Sequence, residues 1–275
     1  MRLKWSLYAL LFLDFLLYLV QDAESARYTL CAHPTLLEWA RAYATSIDLA
    51  AWFVLILFFE LETGLFRDRM RTGAWRWSVQ GVRAICYVAI LHTSVTDVGI
   101  LLDLYVAEAL PVAADLCGYA DGGWSFLENR GYTTIDAGNC AALGAGPAWF
   151  AVGVDPVIVD QARWREGLIL AWTDVVENLA WLVIVACNEV IVRIQQRGFG
   201  TTSILTFGNY LKGALYTVIV CIALYWGTKG QILYLWDELL WVGGFALIER
   251  NIFEWRAGLL ESPLYRRPAP NLKVT

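Results

Sequence analysis

The sequence predicts an all-α, polytopic membrane helix bundle, with six transmembrane helices arranged as three helical hairpins in pseudo-repeat. Three observations lead there. Of 275 residues, 58% are hydrophobic and only 17% charged, whereas a soluble domain carries about a quarter of its residues charged. Six stretches, near 5–21, 48–66, 83–106, 167–192, 204–227 and 231–253, are mostly apolar over the length of about 20 residues that a helix needs to cross a bilayer. An acid followed four residues later by Trp and twelve later by Glu occurs three times, as Asp48–Trp52–Glu60, Glu177–Trp181–Glu189 and Asp237–Trp241–Glu249. Ionisable residues are costly in such surroundings, so their recurrence at one spacing predicts an internal repeat.

The first stretch begins like the n-region of a signal peptide, and Ala23-Glu-Ser25 offers a cleavage site. Asp14 inside the apolar run argues for a retained helix. So does Lys4–Tyr8, a base followed four residues later by Tyr, which recurs as Arg83–Tyr87 and Lys212–Tyr216 in the third and fifth stretches. Each base–Tyr helix precedes an acid–Trp–Glu helix, giving hairpins near 1–70, 78–197 and 203–258 within a single domain.

The connections differ. The first contains Leu36–Thr45, which suits a short amphipathic helix at the interface. The second, 107–166, is rich in Gly, holds Pro111, Pro147 and Pro156, and is expected to form a small cap with little core of its own. The third is the tight turn Gly227–Gly230. Arg and Lys gather at the N-terminus, at 67–76, after the fourth span and at the C-terminus. The positive-inside rule then puts both termini in the cytoplasm of a cell (inner or plasma) membrane, with 259–275 as a cytoplasmic tail. The segment at 67–80 interleaves arginines with Trp75 and Trp77, as suits headgroup level. In an oxidising outer compartment Cys117–Cys140 is the favoured disulfide, with Cys31 left over or replacing either partner.

Three groups of polar residues are candidates for function. Lys4, Arg83 and Lys212 fall near the same membrane depth as Glu60, Glu189 and Glu249, which predicts the inner ion pairs Lys4–Glu60, Arg83–Glu189 and Lys212–Glu249. These either clamp the hairpins or form an inner gate. Asp48, Glu177 and Asp237 form an outer acidic ring. Each shares a helix face with its Trp, because four residues advance the helix by about 40°. The simpler reading is an interfacial belt, with acids among headgroups and indoles below; the other is an acidic vestibule for cations. The later Glu lies about 120° around from the first acid, so one straight helix does not line a pore with both. The third group, Asp14, His92 and Asp97, breaks the repeat near mid-membrane, where carboxylates and His suit proton or cation handling.

The chain has no GxSxG, HExxH, P-loop or GxGxxG motif. A catalytic site, a metal and a cofactor are therefore not expected, and neither is nucleic acid. The expected function is an ion, proton or small-solute channel or transporter. The alternative is a non-transporting scaffold, sensor or accessory subunit with a protein partner at 107–166. Lipid is the expected environment, and a homo-oligomer is compatible with the sequence.

Overall fold

The computed structural model describes the backbone of residues 2–30, 33–63, 73–110, 116–120, 122–143, 148–153, 155–196 and 203–261; side chains are described over most of these, and in the last helix as far as Ala246. The described chain is mostly helical. Seven helices run as α1 (Arg2–Thr29), α2 (Leu36–Ala42), α3 (Ala44–Thr63), α4 (Gly73–Tyr105), α5 (Gln161–Gln196), α6 (Ser203–Thr228) and α7 (Ile232–Glu261). Four described segments are long and apolar enough to cross a membrane: Trp5–Thr29, Trp77–Tyr105, Gln161–Ile191 and Ser203–Thr228. The pair α2 and α3 qualifies together as one span bent by 75°.

The helices close into a ring. Each of α1, α3, α4, α5, α6 and α7 packs against its chain neighbour among these six, and α7 returns to pack on α1. Gly244 of α7 sits beside Leu7 of α1 at that closure, where an added Cβ would meet the leucine at 3.5 Å. The shared core includes Leu11, Leu49, Ile90, Ile184 and Ile219 together with three indoles, Trp52, Trp181 and Trp241. Large apolar side chains such as Trp5, Ile85, Val88 and Leu179 are exposed on the outside of the ring, as expected of helices whose outer faces meet lipid.

Helix ends show why the sequence starts and stops them there. Thr35 and Glu38 form a reciprocal capping box at the start of α2, which satisfies donors that the first turn leaves open. The first turn of α3 is capped from another helix: the Asp22 carboxylate of α1 accepts from Ser46 N at 2.8 Å and from Ser46 Oγ at 2.7 Å. Gly230 takes φ +81° just beyond α6, a left-handed position that Gly occupies without a steric penalty. It lets α7 begin two residues later.

The bundle is not all-α throughout, because 107–166 holds a five-stranded sheet. Its strands are β1 (Glu108–Ala109), β2 (Ser125–Glu128), β3 (Gly131–Thr134), β4 (Trp149–Ala151) and β5 (Val157–Asp160), in the order β1-β4-β5-β2-β3. Only β2 and β5 pair in parallel. The expectation of a cap with little core is also corrected: Leu116, Phe126, Ile135, Cys140, Trp149 and Ile158 make an apolar cluster separate from that of the bundle. The Cys117–Cys140 disulfide, with Cα atoms 4.9 Å apart, ties the segment between them to this cluster. Cys31 lies outside the described residues.

Candidate functional site

The acidic ends of the three triplet helices meet inside the ring. Asp48 of α3, Glu177 of α5 and Asp237 of α7 line one cavity of about 100 Å³, and so do Trp52, Trp181 and Trp241. In place of the interfacial belt, the face shared by each acid and its indole turns to the centre of the bundle. The indoles are 6 to 8% exposed. Trp52 stands 6.1 Å from Trp181 and 6.2 Å from Trp241, and Phe245 lies 5.2 to 6.4 Å from all three. These rings make an aromatic wall beneath the carboxyls.

Further acids complete the lining. Glu238, adjacent to Asp237, accepts from Trp181 Nε1 at 3.2 Å. Asp174, one turn before Glu177 on α5, and Asp97 of α4 also face the cavity. Asp97 accepts from Asn178 Nδ2, and Asn178 Oδ1 in turn accepts from Ser94 Oγ at 3.4 Å. Six carboxyls thus line the space, with one cationic side chain, Arg130, among them. Among the described residues, several polar atoms here have no hydrogen-bond partner: Asp48 Oδ1, Asp174 Oδ1, Asp237 Oδ1, Trp241 Nε1 and the Tyr18 hydroxyl. Convergent polar groups on the wall of one cavity make it the candidate functional site.

Arg130 enters from the cap. It sits at the tip of the β2–β3 hairpin, where Glu128 pairs with Gly131 across a two-residue turn. Asn129 and Arg130 have φ of 48° and 66°, the backbone of a type I′ turn. Asn tolerates that region, whereas a long side chain pays about 1–2 kcal/mol for it. The guanidinium pairs with Asp174, donates to Tyr234 Oη at 3.0 Å, and stands 4.7 Å from the Tyr234 ring and 5.5 Å from the Trp226 ring. Its pKa moves above the ordinary arginine value: burial works against the charge, but Tyr234 and Asp97 outweigh it. The tip is also tied by backbone. Asn129 Nδ2 donates to Lys229 O at 2.8 Å, and Gln231 Nε2 donates to Asn129 O at 2.5 Å.

The mid-membrane candidates separate. Asp97 lines the cavity. Asp14 is fully buried behind the lining, and its carboxyl meets that of Asp237. His92 lies on α4 outside the lining, half-buried, with Nδ1 unpartnered. At the other end of the bundle, the side chains of Lys4, Glu60 and Glu249 lie outside the described residues. Arg83 and Glu189 both stand near Tyr87. Buried Lys212 donates to Asn188 Oδ1 at 2.9 Å. Among the described residues, no group of three or more His, Cys, Asp or Glu is arranged to hold a metal ion.

Sequence reasoning missed Arg130, Asp174 and Glu238 as members of the site. Asp174 carried a usable signal, because it precedes Glu177 by three residues and so lies on the same helix face. Arg130 carried none: it is one of three arginines in a Gly-rich connection, and nothing in its spacing sets it apart. No protein-family model, curated protein or solved structure matches this chain.

Proposed function

We propose that the protein is a multi-pass membrane transporter or channel that moves a small cation or protons through the centre of its helix bundle. The reading takes α1, the bent α2–α3 pair, α4, α5, α6 and α7 as six spans in three related hairpins, with both termini cytoplasmic. One observation carries it. Asp48, Glu177 and Asp237, from three different helices, line a single cavity in which the carboxyls outnumber the cationic side chains six to one. Carboxyls and a cationic side chain inside a membrane bundle are the groups by which protons or cations are handled along a path. The inner charges Arg83, Glu189 and Lys212 stand at the opposite end of the same helices, where a second barrier is needed for controlled passage.

The test is flux. Full-length protein in liposomes should pass at least one of protons, Na⁺, K⁺ or methylguanidinium, and Asp237→Asn and Asp97→Asn should each lower that flux about tenfold. Absence of flux for all four ends the transport reading. A second reading is a membrane sensor or accessory subunit that binds the cation without passing it. It is favoured by the cap, which seats Arg130 at the rim of the cavity. Saturable cation binding with no flux would select it.

A further inference from the structure

The chemistry of the cavity wall narrows the cation. One side of the space is carboxyl and the other is ring. Hard inorganic cations need oxygen on most sides, with six to eight ligands for Ca²⁺ and near-octahedral oxygen for Mg²⁺. Trp52, Trp181, Trp241 and Phe245 offer no such ligands from their faces. Those faces attract a weakly hydrated organic cation, tryptophan most strongly. An unpartnered acceptor fits that complement. Asp237 Oδ1 belongs to a side chain 7% exposed, lines the space and has no hydrogen-bond partner among the described residues. An N–H-bearing cation satisfies the carboxylate while its flat or methyl face rests on the rings. The volume, about 100 Å³, is on the scale of the roughly 150 Å³ cavity that takes up benzene, which suits an organic ion of a few heavy atoms.

The chain also displays a bound guanidinium at the rim. Arg130 is held by a carboxylate, a phenol oxygen and two ring faces, the set of partners that suits a planar cation able to hydrogen-bond at its edge and stack on its face. It holds that position on left-handed backbone, which ordinarily selects Gly or Asn. The same two ingredients, acid and ring, continue inward past Arg130 to Glu177, Asp237 and the three indoles.

We infer that the cavity binds a small organic cation of the guanidinium or alkylammonium class, its N–H edge on Asp237 and Glu177 and its face on Trp52, Trp181 and Trp241, with Arg130 as a tethered competitor at the rim. This rests on the cation-handling reading of the same cavity. The experiment uses full-length protein in lipid nanodiscs, with methylguanidinium, K⁺ and Mg²⁺ as probes at matched ionic strength. Binding is followed by calorimetry and by tryptophan fluorescence, because three of the reporting indoles form the wall. Methylguanidinium should bind saturably and at least tenfold more tightly than K⁺ or Mg²⁺. Asp237→Asn should weaken it at least tenfold, and Arg130→Ala should tighten it several-fold. The wild-type comparison needs no variant to fold, and size-exclusion profiles qualify the two variants. K⁺ or Mg²⁺ binding as tightly as methylguanidinium, or methylguanidinium affinity unmoved by a well-folded Asp237→Asn, would overturn the inference. Flux of K⁺ or protons without methylguanidinium binding removes the organic-cation assignment and leaves transport standing. Methylguanidinium binding without flux does the reverse.

Discussion

The cap encloses Phe126, Ile135 and Ile158, each at most 1% exposed, whereas the centre of the bundle encloses Asp14 at 0% and Asp237 at 7%. One region buries what folding favours burying; the other buries what folding penalises. In the cap, side chains meet like with like: Phe126 stands edge-on to Trp149 at 6.3 Å, and the disulfide fixes the flank of the cluster. In the bundle, indoles stand against carboxyls, and several polar atoms are left unpartnered among the described residues. The contrast separates a region with an apolar core from one whose centre carries the candidate site.

The largest expected effect tests the cap. Phe126→Ala should destabilise the cap by about 3–5 kcal/mol, the usual range for emptying a well-packed aromatic position. Limited proteolysis would show cleavage within 107–166 at temperatures where the helical circular dichroism of the bundle is unchanged. A loss of helical signal in step with cap cleavage would merge the two regions into one cooperative unit and break the comparison.

The opposite sign is expected in the bundle. Asp14 and Asp237 bring two carboxyls together, a contact that depends on a proton shared between them. Asp14→Asn supplies an N–H to that contact with almost no change of volume. A hydrogen bond formed this way contributes about 1 kcal/mol, so the variant should unfold later in thermal or denaturant titrations while cation flux falls. A variant that unfolds earlier would mean that Asp14 is a structural group, and that the bundle centre is built on the same terms as the cap.

How much of this was legible in the sequence follows the same divide. The bundle announced itself through long apolar runs and through the spacing of Asp48–Trp52, Glu177–Trp181 and Asp237–Trp241. Helix geometry correctly put each acid and its indole on one face. It did not say which way that face points, because a single helix presents the same stripe to lipid headgroups or to neighbouring helices. Only the return of α7 onto α1 decides it. The cap was harder. Its strands are two to four residues long, too short for alternation to register between Gly and Pro, and its core is assembled from strands distant in sequence such as β2 and β5. Cys117 and Cys140 were legible because few cysteines lie outside the spans. Arg130 was invisible, since its importance lies in where a hairpin tip lands.

That tip is one of the places where the two regions touch, beside contacts such as Tyr28 on Tyr132 and Phe150 on Trp164, and it supplies the smallest expected effect. Arg130→Gly replaces a strained left-handed residue by the one best suited to a type I′ turn. The relief of about 1–2 kcal/mol is offset by about 0.5–1 kcal/mol for the greater freedom of Gly in the unfolded chain. Cap stability, read from proteolysis of 107–166, should therefore move by no more than about 1 kcal/mol. Docking should change more visibly, because the ion pair with Asp174 and the contacts with Tyr234 and Trp226 are lost. Hydrogen exchange at the hairpin amides 125–134 should quicken several-fold, with exchange in the middle of α4 and α5 unaltered. A cap that falls by several kcal/mol would make Arg130 part of the cap's own framework. A cap that holds while its tip loosens would identify the guanidinium as a charge that the cap lends to the cavity.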